Sequence, residues 1–369
     1  MGKRMKRRMQ SALKRLEVLE QMTVLYNEDV LRRSSPAHNV SGLERLVGVS
    51  PAIRRIKKLI RQIRDTDSPI LIVGPTGVGK ELVAECIHRA SHRRGRPFIA
   101  LSVANLPATL FESELFGAVR GAYSGAERDR PGLAMAAEGG TLFIDDIEDL
   151  SPENQAKILR FIETHEVRPL GSTTRKIVDV RIITASNRNL KRLIEKGWFR
   201  RDLYYRIKGV SFYIPPLRKR PEDIPLLVLY FFNLYQKRYG KKLRGFHPQT
   251  WRKLMAYPWP GNVRELRNEM ERLVILSRDG ASVKPSALSP EIRRSRKRAL
   301  PPSGIRLKDY MAITEREYLK AILEYTGGNV SRSARLLGIS RVSLNQKIRR
   351  YRLQSSLNRF RQEANNDET

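Results

Sequence analysis

The chain has 369 residues, enough for two or three domains at ~150 residues each. With 71 Lys+Arg against 38 Asp+Glu its net charge is +33, more than an enzyme of small metabolites needs, so a polyanionic partner is expected; a chain-wide preference for arginine is the other reading. The single Cys86 excludes a disulfide framework, and the most apolar run, Leu226–Tyr235, is about half the ~20 residues of a bilayer span, so a cytoplasmic protein without membrane insertion is expected.

Residues 1–42 read as a short basic extension, in which Leu13, Leu16, Leu19 and Met22 form either a helical stripe or part of a solvated tail. Residues 43–213 alternate short apolar runs with helical patterns. The runs Ile70–Val73, Phe98–Leu101, Leu142–Ile144, Arg181–Thr184 and Val210–Ile214 are predicted strands. Strands buried on both faces with helices between them imply an α/β fold with a parallel sheet. Pro215 and Pro216 break this pattern, and 214–282 reads as a helical subdomain without strands. Residues 283–305 carry prolines at 285, 290, 301 and 302 and the run Arg293-Arg-Ser-Arg-Lys-Arg298, a basic linker composition. Residues 306–360 form a small all-α unit before a tail at 361–369. One helix stops at Gly327-Gly328, a second runs over about Ser331–Leu337, and Gly338 ends it. Ser340 N-caps a third from Arg341 to Arg352, which makes a helix-turn-helix.

Three segments carry chemistry. Gly74-Pro75-Thr76-Gly77-Val78-Gly79-Lys80 lies between a predicted strand and a predicted helix, the context of a phosphate-binding loop. Its backbone N–H groups face the phosphates and Lys80 reaches the β and γ oxygens. Glu81 stands where a metal-binding hydroxyl is usual. Thr141-Leu-Phe-Ile-Asp-Asp146 ends a buried strand in two acids: Asp145 to hold Mg²⁺ and Asp146 to orient or deprotonate the attacking water. Between them lies Gly121-Ala122-Tyr123-Ser124-Gly125-Ala126, which nucleotide chemistry does not need. Small residues flanking one aromatic and one hydroxyl have the composition of a contact tip, which suggests that ATP is used to push on another protein. His88 and His92 are spaced i, i+4, but no acid completes a ligand set.

These motifs, with Glu114-Leu-Phe-Gly117, Phe199-Arg-Arg-Asp-Leu-Tyr-Tyr-Arg206, Pro215-Pro-Leu-Arg-Lys-Arg220 and Trp259-Pro-Gly-Asn-Val-Arg-Glu-Leu266, resemble the bacterial enhancer-binding proteins, AAA+ activators of sigma-54 RNA polymerase. The resemblance spans about four-fifths of the chain and accounts for Glu81, because the family's loop reads G-x-x-G-x-G-K-E. It implies an AAA+ P-loop domain with a parallel sheet, a helical lid at 214–282, and a Fis-type helix-turn-helix carried by Gly327–Ser340. It also implies an ATPase using ATP and Mg²⁺. Arg200 and Arg206 match arginines offered to the ATP of a neighbouring subunit, which requires a ring, by similarity a hexamer. Arg264 matches the lid arginine that senses nucleotide, Asn187 the polar sensor after the fourth strand, and Gly48–Ala52 the segment near the adenine. Gly121–Ala126 matches the sigma-contacting G-A-F-T-G-A signature with Tyr123 and Ser124 as mild replacements, and 165–176 matches a second insertion that moves with it.

Two departures touch the hydrolytic water: Asp146 replaces the family's Glu, and Ser102 stands where an Asn holds that acid at rest. A carboxylate moved by ~1 Å loses ~10²-fold in rate. The site therefore either hydrolyses ATP as an adjusted pair or binds it as a switch with little turnover. In the third helix of the terminal unit Arg341, Ser343, Asn345 and Gln346 are placed to read bases in the major groove. Arg332, Lys347, Arg349 and Arg350 are placed for phosphates, and Leu336, Leu337, Ile339 and Leu344 for the core. Such modules pair, so a palindromic double-stranded site with half-sites ~34 Å apart is expected. There is no room before Leu43 for a sensory domain, so a regulatory protein acting in trans, or abundance, is the expected control. The leading reading is an enhancer-bound ring that remodels the closed polymerase–promoter complex through 121–126. A DNA-binding regulator with ATP as an oligomerisation switch is the rival, and an unfoldase fits less well because of the helix-turn-helix.

Overall fold

The computed structural model describes residues 42–122, 128–295 and, with short interruptions, 315–358. Five strands form one sheet: β1 (Ile70–Val73), β2 (Phe98–Ser102), β5 (Thr141–Asp145), β8 (Arg181–Ser186) and β9 (Val210–Tyr213), in the order β2-β5-β8-β1-β9. Every neighbouring pair is parallel. Two short antiparallel ladders stand apart from it, β3 (Gly117–Ala118) with β4 (Arg130–Pro131), and β6 (Glu166–Val167) with β7 (Lys176–Ile177).

The alternation of side chains along each central strand builds two cores. Ile70, Ile72, Phe143 and Ile183 point to one face, where Ile53, Ile56 and Ile60 of helix Pro51–Gln62 and Val83, Cys86 and Ile87 of helix Lys80–Ala90 cover them. Leu71, Leu142, Ile144 and Ile182 point to the other, under Phe111, Leu115, Ile158, Phe161, Leu203 and Ile207. The helices begin where the sequence supplies caps. Ser50 accepts from Ile53 N–H and Ser151 from Asn154 N–H, each followed by a proline that needs no intrahelical donor. The expectation of strands buried on both faces holds at the centre of the sheet. At its edges, where helical cover ends, Ala100, Ser211 and Tyr213 are exposed.

The chain divides into two compact units, one containing 39–223 and 258–268, the other 224–257 and 269 onward. The predicted subdomain 214–282 is therefore not one block: its first ten residues and 258–268 belong with the sheet. The predicted linker also starts too early. Val283, Leu288 and Ile292 are buried, and Pro285 and Pro290 open a 3-10 turn (Pro285–Ala287) and a helix (Pro290–Arg294). Proline in the first turn of a helix starts it rather than breaking it, so the linker composition misleads at this point. Residues 1–41, 296–314 and 359–369 lie outside the described residues, with the extension and tail expectations that fall on them. No described helix is long and apolar enough to cross a membrane.

The second unit contains a separate small core in the C-terminal segment: Leu319, Leu323, Val330, Ala334, Leu337, Leu344, Ile348, Leu353 and Leu357. Asn329 caps helix Val330–Leu336 through Arg332 N–H, and Ser340 caps helix Arg341–Arg350 through Ser343 N–H at 3.1 Å.

Candidate functional site

The phosphate loop leaves the C-terminal end of β1, held by Gly74 N–H on the Ser186 carbonyl. Gly77 has φ +79° and would place a Cβ 2.4 Å from the Gly261 carbonyl, so no side chain fits there. Gly79, at φ +101°, turns the chain into helix Lys80–Ala90. Lys80 is 7% exposed, donates to the Gly74 carbonyl at 3.4 Å and lies 3.9 Å from Asp145 Oδ1. Pro75 and Val78 complete the loop, Thr76 is exposed, and Glu81 faces solvent.

The acids lie beside that lysine. Burial pushes the Asp145 carboxyl up from its usual value and Asp146 adds to this, while Lys80 and Arg264 oppose it. Asp146 follows in the left-handed region at φ +56°, with its N–H on Asp145 Oδ1 at 2.9 Å. Its own Oδ1 accepts from Asn187 Nδ2 at 3.0 Å. Asn187 stands just past β8, and its backbone N–H donates to Glu148 Oε1 at 2.9 Å. Ser102 pairs in register with Asp145 across β2 and β5. A desolvated carboxylate next to a second acid is a fitting place for a divalent cation, which relieves both charges at once.

Segment 258–268 roofs this loop. Asn262, 2% exposed and at φ +56°, donates from Nδ2 to the Thr76 carbonyl at 2.9 Å and accepts Leu217 N–H on Oδ1 at 2.8 Å. Arg264 N–H donates to the Gly77 carbonyl at 3.1 Å, which brings the backbone of this exposed arginine to the loop. Behind the loop, Arg220 Nη2 donates to the Val78 carbonyl and Nη1 lies 3.7 Å from Asp223. Asp223 in turn accepts Val49 N–H, Ser50 N–H and Ser50 Oγ, and so locks the predicted adenine-side segment 48–52 to the same frame. Asn262, Arg220, Asp223 and Glu148 are contributors that spacing alone did not assign.

Arg200 and Arg206 are exposed, at the N-cap and in the last turn of helix Arg201–Ile207. Arg200 is held by Asp202 at 2.7 Å, and Arg206 reaches the Ile162 carbonyl at 3.4 Å; neither partner belongs to the phosphate loop. Together with Arg201 and Tyr205, Arg200 and Asp202 line a shallow open depression.

The insert is rooted rather than loose at its base. β3 pairs with β4, Val119 N–H donates to the Leu170 carbonyl at 3.0 Å, and Leu170 N–H to the Gly117 carbonyl at 2.9 Å. This ties it to the second insertion. Gly121 takes φ +81° and Ala122 donates to the Val119 carbonyl; Tyr123, Ser124, Gly125 and Ala126 lie outside the described residues.

In helix Arg341–Arg350, Leu344 and Ile348 are buried while Arg341, Asn345, Gln346, Arg349 and Arg350 are exposed on the remaining faces. Ser343 is half-buried. Lys347 departs from the expectation: its ammonium is paired with Glu315, which also takes the Tyr351 hydroxyl, so it braces the module instead of standing free for a phosphate. Arg332 is exposed, Leu337 is buried, Ile339 is half-buried, and the Leu336 side chain is outside the description.

A P-loop sheet, a helical subdomain and a helix-turn-helix in this order define an AAA+ regulator of transcription. Residues 46–213 match the Sigma-54 interaction domain, 218–303 the AAA+ ATPase lid domain, and 310–351 the Fis family of bacterial regulatory proteins. The chain is similar to the transcriptional regulatory protein ZraR of Klebsiella oxytoca, 43% identical over 305 residues, covering 83% of this chain and 68% of that one. It is similar also to GlrR of Escherichia coli K12, 40% identical over 329 residues, covering 89% and 73%. Among solved structures, NtrX of Brucella abortus in complex with ATP aligns with a TM-score of 0.62 at 37% identity, covering 83% of this chain and 69% of that one. The chain belongs to the bacterial enhancer-binding proteins, the sigma-54-dependent transcriptional regulators.

Proposed function

We propose that the protein is an activator that binds enhancer DNA and, as a ring, hydrolyses ATP to remodel the closed sigma-54 polymerase–promoter complex through 121–126. The observation that carries this reading is the junction of three parts in one folded unit. Lys80 sits against Asp145, Asp146 is held by Asn187, and the insert is hydrogen-bonded at its base to a second insertion.

In this reading the loop N–H groups and Lys80 bind the phosphates, and Arg264 senses them from the roof. Asp145 is the side chain that would hold Mg²⁺, which would supply charge neutralisation at the phosphates. Asp146 orients and accepts a proton from the attacking water while Asn187 fixes its carboxylate. Arg200 and Arg206 act on the ATP of an adjacent copy, where a guanidinium stabilises charge spread over the transferring phosphoryl group, worth on the order of 10³–10⁵ in rate. Their exposure, and hydrogen bonds made to Asp202 and the Ile162 carbonyl and not to the phosphate loop, support a role in trans. Arg341, Ser343, Asn345 and Gln346 read bases, and Arg349 and Arg350 meet phosphates.

Steady-state ATP turnover against protein concentration, beside Asp146→Glu, tests the reading. Turnover that rises faster than linearly supports a composite site. ATP binding without turnover, with turnover appearing in the Glu variant, favours the second reading, a nucleotide-gated DNA-binding switch. The short reach of Asp146 and the presence of Ser102 where the family carries an Asn are what favour that alternative.

A further inference from the structure

Glu148 stands out among the buried ionisable groups. It lies on the 3-10 turn Ile147–Asp149, two residues past Asp146, and is 6% exposed. Among the described residues no cation pairs with it: Arg188, one residue past Asn187, pairs instead with Asp149 at 3.4 Å. Its Oε1 accepts the Asn187 N–H at 2.9 Å, and its Oε2 is buried without a hydrogen-bond partner among the described residues. A buried carboxyl with half its oxygens unused costs stability, and an apolar or small residue would fill the turn more cheaply. Burial pushes its pKa up, and neighbouring Asp146 adds to the effect.

What Glu148 does accomplish is to fix Asn187 at its backbone, while the side-chain amide of the same residue holds Asp146 Oδ1 at 3.0 Å. Asn187 is thus gripped at both ends, between two acids that lie on one turn. Asp146 has a short carboxylate on a backbone at φ +56°, and the Asn187 amide is the side-chain group that holds its Oδ1.

We propose that Glu148 is a positioning residue of the hydrolytic site, placing Asp146 through Asn187. This rests on the reading of Asp146 as the acid that handles the attacking water. The full-length protein is assayed for ATP kcat and KM as wild type, Glu148→Gln, Glu148→Asp, Glu148→Ala, Asn187→Ala and Glu148→Ala with Asn187→Ala, with the melting temperature of each. Gln keeps an oxygen for the Asn187 N–H, so it retains kcat. Asp keeps the charge but falls short, so it loses about 10-fold in kcat with KM within about twofold, as expected for a misplaced catalytic group. Ala loses as much, and adds nothing further in the Asn187→Ala background. Equal losses from Glu148→Ala in both backgrounds, or full activity in Glu148→Asp, overturn the proposal while leaving the ATPase reading in place. A wild type that binds ATP and never turns it over sinks that reading, and the proposal with it. If the Ala variants fail to fold, the contrast between Gln and Asp still decides.

Discussion

Replacing Asn262 by Ala is expected to cost about 3–4 kcal/mol. Three contributions make up that figure. Leu217 N–H, in a fully buried residue, loses Asn262 Oδ1 as its acceptor, at about 1–3 kcal/mol for an unpaired buried donor. The Thr76 carbonyl loses a donor, but Thr76 is exposed and water replaces it at well under about 1 kcal/mol. Alanine must also occupy φ +56°, at about 1–2 kcal/mol, where asparagine is better tolerated. Asn262→Gly loses the same two hydrogen bonds and is spared much of the backbone strain, so it is expected to be about 1 kcal/mol milder than Ala. Equilibrium urea denaturation of the full-length protein, followed by tryptophan fluorescence because Trp259 is buried three residues away, reads both variants. Titration with a fluorescent ATP analogue shows whether the loop that contains Thr76 has loosened, and weaker binding is expected in both. An Ala variant within about 1 kcal/mol of wild type would refute the clamp, and a Gly variant less stable than Ala would refute the backbone argument.

Two further outcomes follow from the ionisable groups. Cys86 is fully buried and its thiol is pushed up to about 12, so a thiol reagent at pH 8 should leave the native protein unmodified and label one site per chain on unfolding in urea; labelling of the folded protein would contradict this. Asp67 is held below its usual 3.8 chiefly by the hydrogen bond from Arg93 Nη2 and Nε, so its contribution is present above pH 3.8 and disappears as pH falls through the lower folded value. The stability gap between wild type and Asp67→Asn should therefore close below about pH 4, and a gap that widens as pH falls from about 4 to about 2 would show the sign to be wrong.

The five sheet strands were legible because each is a short apolar run next to a glycine, proline or acid, and the two cores follow from their alternation. The ladders β3–β4 and β6–β7 were not, since two residues are too few to carry a period. The phosphate loop and acid pair are local in sequence and could be read directly. Asn262 was quoted within a motif but not given a role, because its partners Thr76 and Leu217 are 186 and 45 residues away and only the fold unites them. Glu148 carries no local signal at all, for a turn acid near a strand end is usually solvated. Lys347 looked like a phosphate ligand by its helix and charge, and only its proximity to Glu315 shows otherwise. Prolines 285 and 290 counted toward a linker composition, whereas they open a 3-10 turn and a helix.

The position of β1 inside the sheet bears on how the protein is made. Its neighbours are residues 181–186 and 210–213, and the roof over its loop comes from 262 and 264. At a synthesis rate of ~5–20 residues per second, the roughly 190 residues between Gly74 and Arg264 take about 10–40 s to follow the loop off the ribosome. During that interval the phosphate loop exists as sequence but not as a binding surface, and an apolar strand waits without partners, a state open to chaperones and to aggregation. The helix Arg341–Arg350 emerges later still. A growing chain therefore cannot take hold of DNA through that helix until its ATPase residues have all been made.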